Sequence, residues 1–384
     1  MFDEFDDDLI DAAVDGNTAT GGLLPPREMA DCIGHEKQEK QLAGLIADDR
    51  LPHALILAGP KGIGKSTMAF RLARYLFDKG GAGGGDAGPG LFGDDLPADK
   101  PESLYVAPDA PAFQRVASGG HTDLLYVQRQ FDEKKGRFKG GVDVDEVRKI
   151  TPFMRMTASQ DGGWRVAIID DADTMTRNAQ NAILKILEEP PQRGLLILVT
   201  HRPGRLVATI RSRCRTMNFH TPHLDDFAEV IKREHPAMPE SEIGTLYGIA
   251  DGSIGHGLQI VEEGGLEVIG NIVALLENHQ QWDWPQIHKL ADGLSRNGQE
   301  DSMATFQDVF LWVIDTIVKC KARGQGLPKV MDSPKMQELH RHFNLKQWID
   351  IADRLRGHFD TANFASLDKR YAVLGAFSFF EQAA

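Results

Sequence analysis

The sequence predicts an α/β domain built on a parallel sheet with helices on both faces, followed by a region that is helical throughout. Three observations carry this. Between Met29 and His220, apolar runs of strand length alternate with runs of helical periodicity. "HALILAG" opens into the glycine-rich "GPKGIGKST" and then into "STMAFRLARYLF", a strand–turn–helix order. After His220 the strand signals stop, and amphipathic helix continues with breaks at "ADGSIGHG" and "CKARGQGLPK".

The elements follow in order. Residues 1–28 are read as an acidic, disordered tail, because no lysine or arginine precedes Arg27 and the end is rich in glycine and proline. Phe2, Phe5, Leu9 and Ile10 are its only candidates for a partner-binding face, against the plainer reading of a solvated tail. The strand "HALILAG" and the helix after it come next. Residues 78–120 are then expected to be a surface insertion whose glycine and proline content cannot support a core. Regular structure resumes with "DLLYVQR" as a strand, "VDEVRKITPFM" as a helix and "WRVAIIDDAD" as a strand. "NAQNAILKILEE" is one helix closed by Pro190 and Pro191, and "GLLILVT" is another strand. "ATIRSRCRTMNF" then leaves that strand carrying Arg211, Arg213 and Arg215, a cluster suited to an anion.

The chain has 384 residues, enough for two or three domains. No apolar run approaches a membrane span, and the acidic start is unlike a basic signal peptide, so no membrane partner and a cytoplasmic location are expected. Cys32, Cys214 and Cys320 lie far apart without a CxxC pair, which excludes a disulfide framework and a sequence-evident zinc site. A net charge of −13 argues against a protein that coats nucleic acid. The local basic run at Lys134, Lys135, Arg137 and Lys139 is more simply a solvated loop than a DNA contact.

Gly59, Pro60, Lys61, Gly62, Ile63, Gly64, Lys65, Ser66 and Thr67 fit the phosphate-loop pattern G-x-x-x-x-G-K-[ST], placed between a predicted strand and a predicted helix. Backbone N–H groups there curl around phosphate oxygens, Lys65 adds charge, and Ser66 offers a hydroxyl to Mg²⁺. ATP or ADP with Mg²⁺ is the implied cofactor; the alternative is a glycine-rich turn kept for packing. "VAIIDDAD" ends in carboxylates, with Asp170 placed near the magnesium. The next position, where a glutamate normally polarises the attacking water, is Asp171, one methylene shorter. A displacement of about 1 Å costs on the order of 100-fold in such chemistry, so weak hydrolysis is expected. In "GSIGHG", Gly255 stands where a phosphate-sensing arginine belongs, with His256 beside it.

The ordered boxes "CIGHEKQ", "RLPHALILAGPKGIGKST", "HTDLLYVQR", "VDVDEVRKI", "RVAIIDDADTMTRNAQNAILKILEEPP", "LLILVTHRPGRLVATIRSRC" and "ANFASLDKRYAVLGAF" resemble the AAA+ clamp-loader family of the bacterial DNA polymerase III holoenzyme, its delta-prime branch above all. The resemblance runs from about Cys32 to Phe377, outside the glycine-rich insertion. It implies an AAA+, RecA-like nucleotide-binding domain over 29–220, a small helical lid over 221–284 and an all-α collar over 285–384. It implies a hetero-pentamer with gamma/tau and delta subunits that places the sliding clamp on primer-template DNA in the bacterial, nucleoid-associated replisome.

By the same resemblance Arg213 reaches in trans to ATP on a gamma/tau neighbour, and Thr200 is the first sensor. Ile33, Gly34 and His35 lie against the adenine, and His53 and Ala54 stand at the entry to the loop strand. Arg177 and Asn178 are DNA-contact candidates. Many members carry a four-cysteine zinc site after the first helix; residues 78–120 contain no cysteine, so no zinc is expected. "FQDVFLWVIDTIV" and "YAVLGAFSFF" are apolar on more than one helical face, which implies burial against more than their own domain. Two readings stay open: a passive ring member that donates Arg213, and a working ATPase of the gamma/tau motor type or another AAA+ enzyme.

Overall fold

The computed structural model describes residues 24–79, 103–132, 137–159, 163–296, 300–365 and 367–383. The acidic stretch with Phe2, Phe5, Leu9 and Ile10, most of the glycine-rich insertion, and Lys134 and Lys135 lie outside these residues. Two compact units divide the chain, Met1–Asp226 and Phe227–Ala384.

The first unit is a five-stranded sheet. Its strands are β1 (Ala54–Ala58), β2 (Leu124–Val127), β5 (Arg165–Ile169), β6 (Gly194–Thr200) and β7 (Arg215–Asn218), while β3 (Phe131–Asp132) and β4 (Arg137–Phe138) form a separate antiparallel pair. The order is β2-β5-β6-β1-β7, with each neighbour parallel. Register runs Ala54↔Leu196 to Ala58↔Thr200 between β1 and β6, and Leu55↔Arg215 begins the pairing with β7.

Every residue of β1, β5 and β6 is buried, because both sheet faces are covered. Leu55, Leu57, Val166, Ile168, Ile197 and Val199 face a core shared with α1 (Glu36–Ala47), α2 (Lys65–Lys79) and α3 (Pro111–Ala117). Their alternate neighbours Ala54, Ile56, Ala167, Ile169, Leu196 and Leu198 face the other core. That core is completed by α4 (Val144–Arg148), α5 (Ile150–Arg155), α6 (Arg177–Ala182), α7 (Leu184–Glu188) and α8 (Ala208–Arg211). The expected parallel sheet is present, and four features differ from the sequence reading.

The later part of the insertion is core, not surface. Leu104, Phe113 and Val116 are buried, and the apolar positions of α3 close over α2 despite the surrounding glycines and prolines. Beneath them lies Arg74, 1% exposed, whose Nη2 donates to the Met29 carbonyl at 2.6 Å and Nη1 to the Arg27 carbonyl at 3.3 Å. Its guanidinium sits 4.4 Å from the Phe113 ring centroid. One turn earlier, Arg71 donates to Glu39 at 2.9 Å and to the Ala30 carbonyl.

The helices expected over 144–154 and 178–189 are each interrupted by one residue, Lys149 and Ile183. Arg211 and Arg213 of "ATIRSRCRTMNF" lead into a strand and Arg215 opens it: α8 ends at Arg211 and β7 begins at Arg215. β7 itself escaped the sequence reading because it is an edge strand with only Met217 buried.

The second unit is helical at every described element. It holds most of α9 (Leu224–Glu234), then α10 (Glu240–Ile249), α11 (Ile254–Glu262), α12 (Gly265–Leu276), α13 (Trp284–Leu294), α14 (Glu300–Arg323), α15 (Pro334–His342), α16 (Leu345–Ala365) and α17 (Lys369–Ala383). Much of the apolar surface of α14 and α17 is covered inside this unit, while Tyr371 of α17 stays exposed. Phe306, Phe310, Trp348, Phe377 and Phe380 are buried together, with Phe310 and Phe377 ring centroids 5.1 Å apart. Burial against a larger partner is therefore not required to explain them. Among the described residues, no helix is long and apolar enough to cross a membrane.

Candidate nucleotide site and exposed arginine

β1 ends at the interior of the sheet, where the chain crosses from the β1–β7 side to the far edge at β2. Such a switch point leaves a crevice at the carboxyl ends of the strands. Gly59 begins the loop there, its N–H donating to the Thr200 carbonyl at 3.2 Å. A Cβ at Gly59 would lie 2.4 Å from the Phe219 carbonyl oxygen, so only glycine fits. Gly62 (φ 73°) and Gly64 (φ 97°) take left-handed backbone that turns the loop into α2. Lys65, Ser66 and Thr67 then present N–H groups that have no acceptor within the helix, at its positive end.

The loop is held from below by the N-terminal box. The His35 Nε2–H donates to the Ile63 carbonyl, and the Cys32 thiol to the Gly64 carbonyl at 3.7 Å. His35 also meets the Phe219 ring edge-on at 4.9 Å. Ile33 is half-buried, and Gly34 (φ 80°) packs so closely on Pro222 that a Cβ would approach it to 2.9 Å. At the strand's other end, Ala54 opens β1 and the His53 carbonyl accepts from the Leu196 N–H at 2.9 Å.

Three carboxylates follow β5. Asp170 Oδ2 accepts from the Ser66 hydroxyl at 2.8 Å and from the Tyr126 hydroxyl at 3.0 Å. Asp171 adopts left-handed backbone (φ 50°), and both its oxygens are engaged. Oδ2 accepts from Arg129 Nε at 2.7 Å, and Oδ1 from His201 Nε2 at 2.7 Å. Burial works to raise the Asp171 pKa, but the His201 hydrogen bond and the charges of Arg129 and Lys61 together take it down to about 2. Asp173 Oδ1 accepts from the Thr200 hydroxyl at 3.0 Å and from the His201 N–H at 2.9 Å. Thr200 is fully buried in this arrangement.

Lys65 is buried, and desolvation pulls its ammonium down to about 8 against the pull of the three aspartates. It donates to the Pro60 carbonyl and lies 3.0 Å from His201 Nδ1. Pro60 and Lys61 are exposed at the loop tip. The donor set fits a polyphosphate: one ammonium, free helix N–H groups, and a glycine cradle that side chains would fill. Ser66 and Asp170 form an oxygen pair of the kind Mg²⁺ prefers.

His201 and Arg129 were missed by the sequence reading. Each stands beyond the C-terminal end of a sheet strand, β6 and β2, which was the available signal.

Arg213 lies outside this crevice's residue set, between α8 and β7. Nη2 is 2.9 Å from Glu188 Oε1 and Nη1 donates to the Thr209 carbonyl at 3.1 Å; the two side chains are 37% and 52% exposed. Arg211 and Arg215 beside it are exposed. Arg177 and Asn178 are exposed in the first turn of α6, which Thr176 caps by accepting from the Ala179 N–H. In the second unit, Gly255 is in the first turn of α11, and His256 Nε2 pairs with Asp308 at 3.0 Å.

The sheet order, with the glycine loop following its second strand from the edge, defines a P-loop α/β domain in the AAA+ arrangement, followed by helices. Comparison with known proteins refines this. Residues 95–223 match the family described as DNA polymerase III, delta subunit.

The chain is similar to delta' subunits over about half its length. It is 33% identical over 201 residues to DNA polymerase III subunit delta' of Pseudomonas aeruginosa, covering 52% of this chain and 53% of that protein. Subunit delta' of Bacillus subtilis is 33% identical over 181 residues, 47% of this chain and 46% of that one. Subunit tau of the same species is 24% identical over 381 residues, 92% of this chain and 62% of that one. The chain thus spans about half the length of the delta' relatives it matches.

Proposed function

We propose that this chain is a stationary subunit of a DNA polymerase III clamp loader that completes a neighbour's ATP site with Arg213. The observation that carries the reading is the placement of Arg213: exposed, outside its own phosphate loop, and tethered, among the described residues, by Glu188 and a local carbonyl. A permanently charged, bidentate guanidinium suits the charge that spreads over a transferring phosphoryl group. The partners on this reading are gamma/tau and delta subunits, the sliding clamp and primer-template DNA, in the cytoplasm. Arg177 and Asn178 are offered for phosphate contact, and residues 221–284 and 285–384 act as lid and collar.

The chain's own loop would hold ATP or ADP through Lys65, Ser66, Thr67 and the glycine backbone, with Ile33 and Gly34 near the base. Mg²⁺ at Ser66 and Asp170 would neutralise phosphate oxygens. Hydrolysis here is weak or absent on this reading, because Asp171 is one methylene shorter than a glutamate and already held by Arg129 and His201, and the lid carries Gly255 in place of an arginine. The second reading, a gamma/tau-like motor, is favoured by the complete Lys65–Ser66–Asp170 set. ATP turnover decides between them. In the assembled loader, Arg213→Ala should depress turnover while assembly persists; unchanged turnover sinks the proposal. Turnover by the isolated chain, abolished by Lys65→Ala, would favour the motor.

A further inference from the structure

The His201 ring stands between two charges of the phosphate site. Its Nδ1 is 3.0 Å from Lys65 Nζ and its Nε2 is 2.7 Å from Asp171 Oδ1. An ammonium offers only donors and an ionised carboxylate only acceptors. The ring is therefore neutral, with its proton on Nε2 and a lone pair at Nδ1 that accepts from Lys65.

Neither end of this contact is loose. The His201 main chain is fixed by its N–H to Asp173, the same oxygen that takes the Thr200 hydroxyl. Asp171 is fixed from the far side by Arg129 at 2.7 Å. A continuous line of hydrogen bonds thus runs from the phosphate cradle through His201 and Asp171 to the end of β2. Lys65 is also held by the Pro60 carbonyl, so two of the three hydrogens of its ammonium are committed to the protein itself.

We propose that His201 is a latch that sets the affinity of the loop for nucleoside di- and triphosphates, by competing with their phosphate oxygens for a hydrogen of Lys65. A polyphosphate finds one Lys65 hydrogen free and gains a second from the lysine only by taking it from Nδ1 or from the Pro60 carbonyl. His201 acts on the ligand through Lys65 and is a positioning residue. The inference rests on the reading of this loop as a nucleotide site, and it does not depend on Arg213.

Three substitutions separate the two contacts of the ring. His201→Asn puts an amide oxygen close to the place of Nδ1 and keeps the hold on Lys65. His201→Gln reaches the place of Nε2, keeping Asp171 and releasing Lys65. His201→Ala releases both. ADP binding to the full chain, measured calorimetrically with Mg²⁺ and without turnover, reads the effect. Melting of each ligand-free variant monitors the fold.

The expected result is ADP binding tighter by about three- to tenfold for Ala and Gln, the worth of one hydrogen bond, and wild-type affinity for Asn. If cooperatively melting Ala and Gln variants bind ADP no tighter than wild type, the latch is wrong. An Asn variant that behaves like Ala also overturns it. If no protein in the set binds ADP, the nucleotide reading of the loop fails and the latch with it, while the Arg213→Ala assay still judges the trans contact separately.

Discussion

Arg213 and Glu188 meet across 2.9 Å at the surface, joining the segment before β7 to the last residue of α7. Exposed pairs of this kind are worth about 0–1 kcal/mol. Arg213→Ala and Glu188→Ala should therefore each change the unfolding free energy by less than about 1 kcal/mol in a urea titration. A loss of several kcal/mol from either would make the arginine a strut of its own subunit. If the proposed trans contact holds, a neighbour's site within a loader should lose about 10³-fold in turnover when the guanidinium is removed, the low end for such residues.

Asp171 accepts from both Arg129 and His201, and on the proposed reading it serves as an anchor. Asp171→Ala should leave the ATP turnover of the isolated chain where it was. It should also destabilise the fold by about 1–3 kcal/mol, because Arg129 and His201 lose their shared acceptor. Chemical denaturation beside a phosphate-release assay separates the two effects. A large fall in turnover at unchanged stability would reinstate the carboxylate as a catalyst.

Gly59 is fixed by contact with main chain, which cannot swing aside as a long side chain can. Gly59→Ala should cost about 1–3 kcal/mol, the usual penalty for overpacking, and shift the melting temperature down. Gly244→Ala, where a Cβ would meet nothing within 4 Å, is the matched control and should be neutral or mildly stabilising. Equal behaviour of the two would mean that the loop relaxes around the added methyl.

Burial pushes the His35 imidazole below its ordinary 6.5, outweighing the Ile63 carbonyl, which favours the charged ring. The unfolded chain takes up a proton as pH falls through about 6.5 while the folded chain resists, so this contribution to stability is lost toward acid. Melting temperature should drop between about pH 7 and 5, and the drop should shrink in His35→Gln. His121, lowered by burial in the same direction, supplies a part that remains. A slope identical in the variant would clear His35 of the effect.

Much of the first unit was legible because β1, β5 and β6 are covered on both faces and so read as unbroken apolar runs. β7 carries one buried residue, and no periodicity survives that. Leu104, Phe113 and Val116 were masked by composition: an average over glycine and proline hides three residues that pack. At the site, the loop motif and Asp170 are local patterns. The partners of Asp171 lie 30 and 42 residues away along the chain, and only the sheet brings them together. In the second unit, α14 and α17 bury Phe306, Phe310, Phe377 and Phe380 against residues of the same unit, where the sequence implied burial against more than their own domain. Helical spacing records how much surface is hidden, not whose atoms hide it.

The grip of Arg71 and Arg74 on the carbonyls of residues 27–30 sets a limit on how far the front of the protein can be shortened. Removing residues up to 23 touches none of these carbonyls. Cutting back through Met29 would remove both carbonyls that Arg74 donates to. The helix that begins with the phosphate loop would then carry a cation without those acceptors about nine residues, or roughly 14 Å, from its cradle.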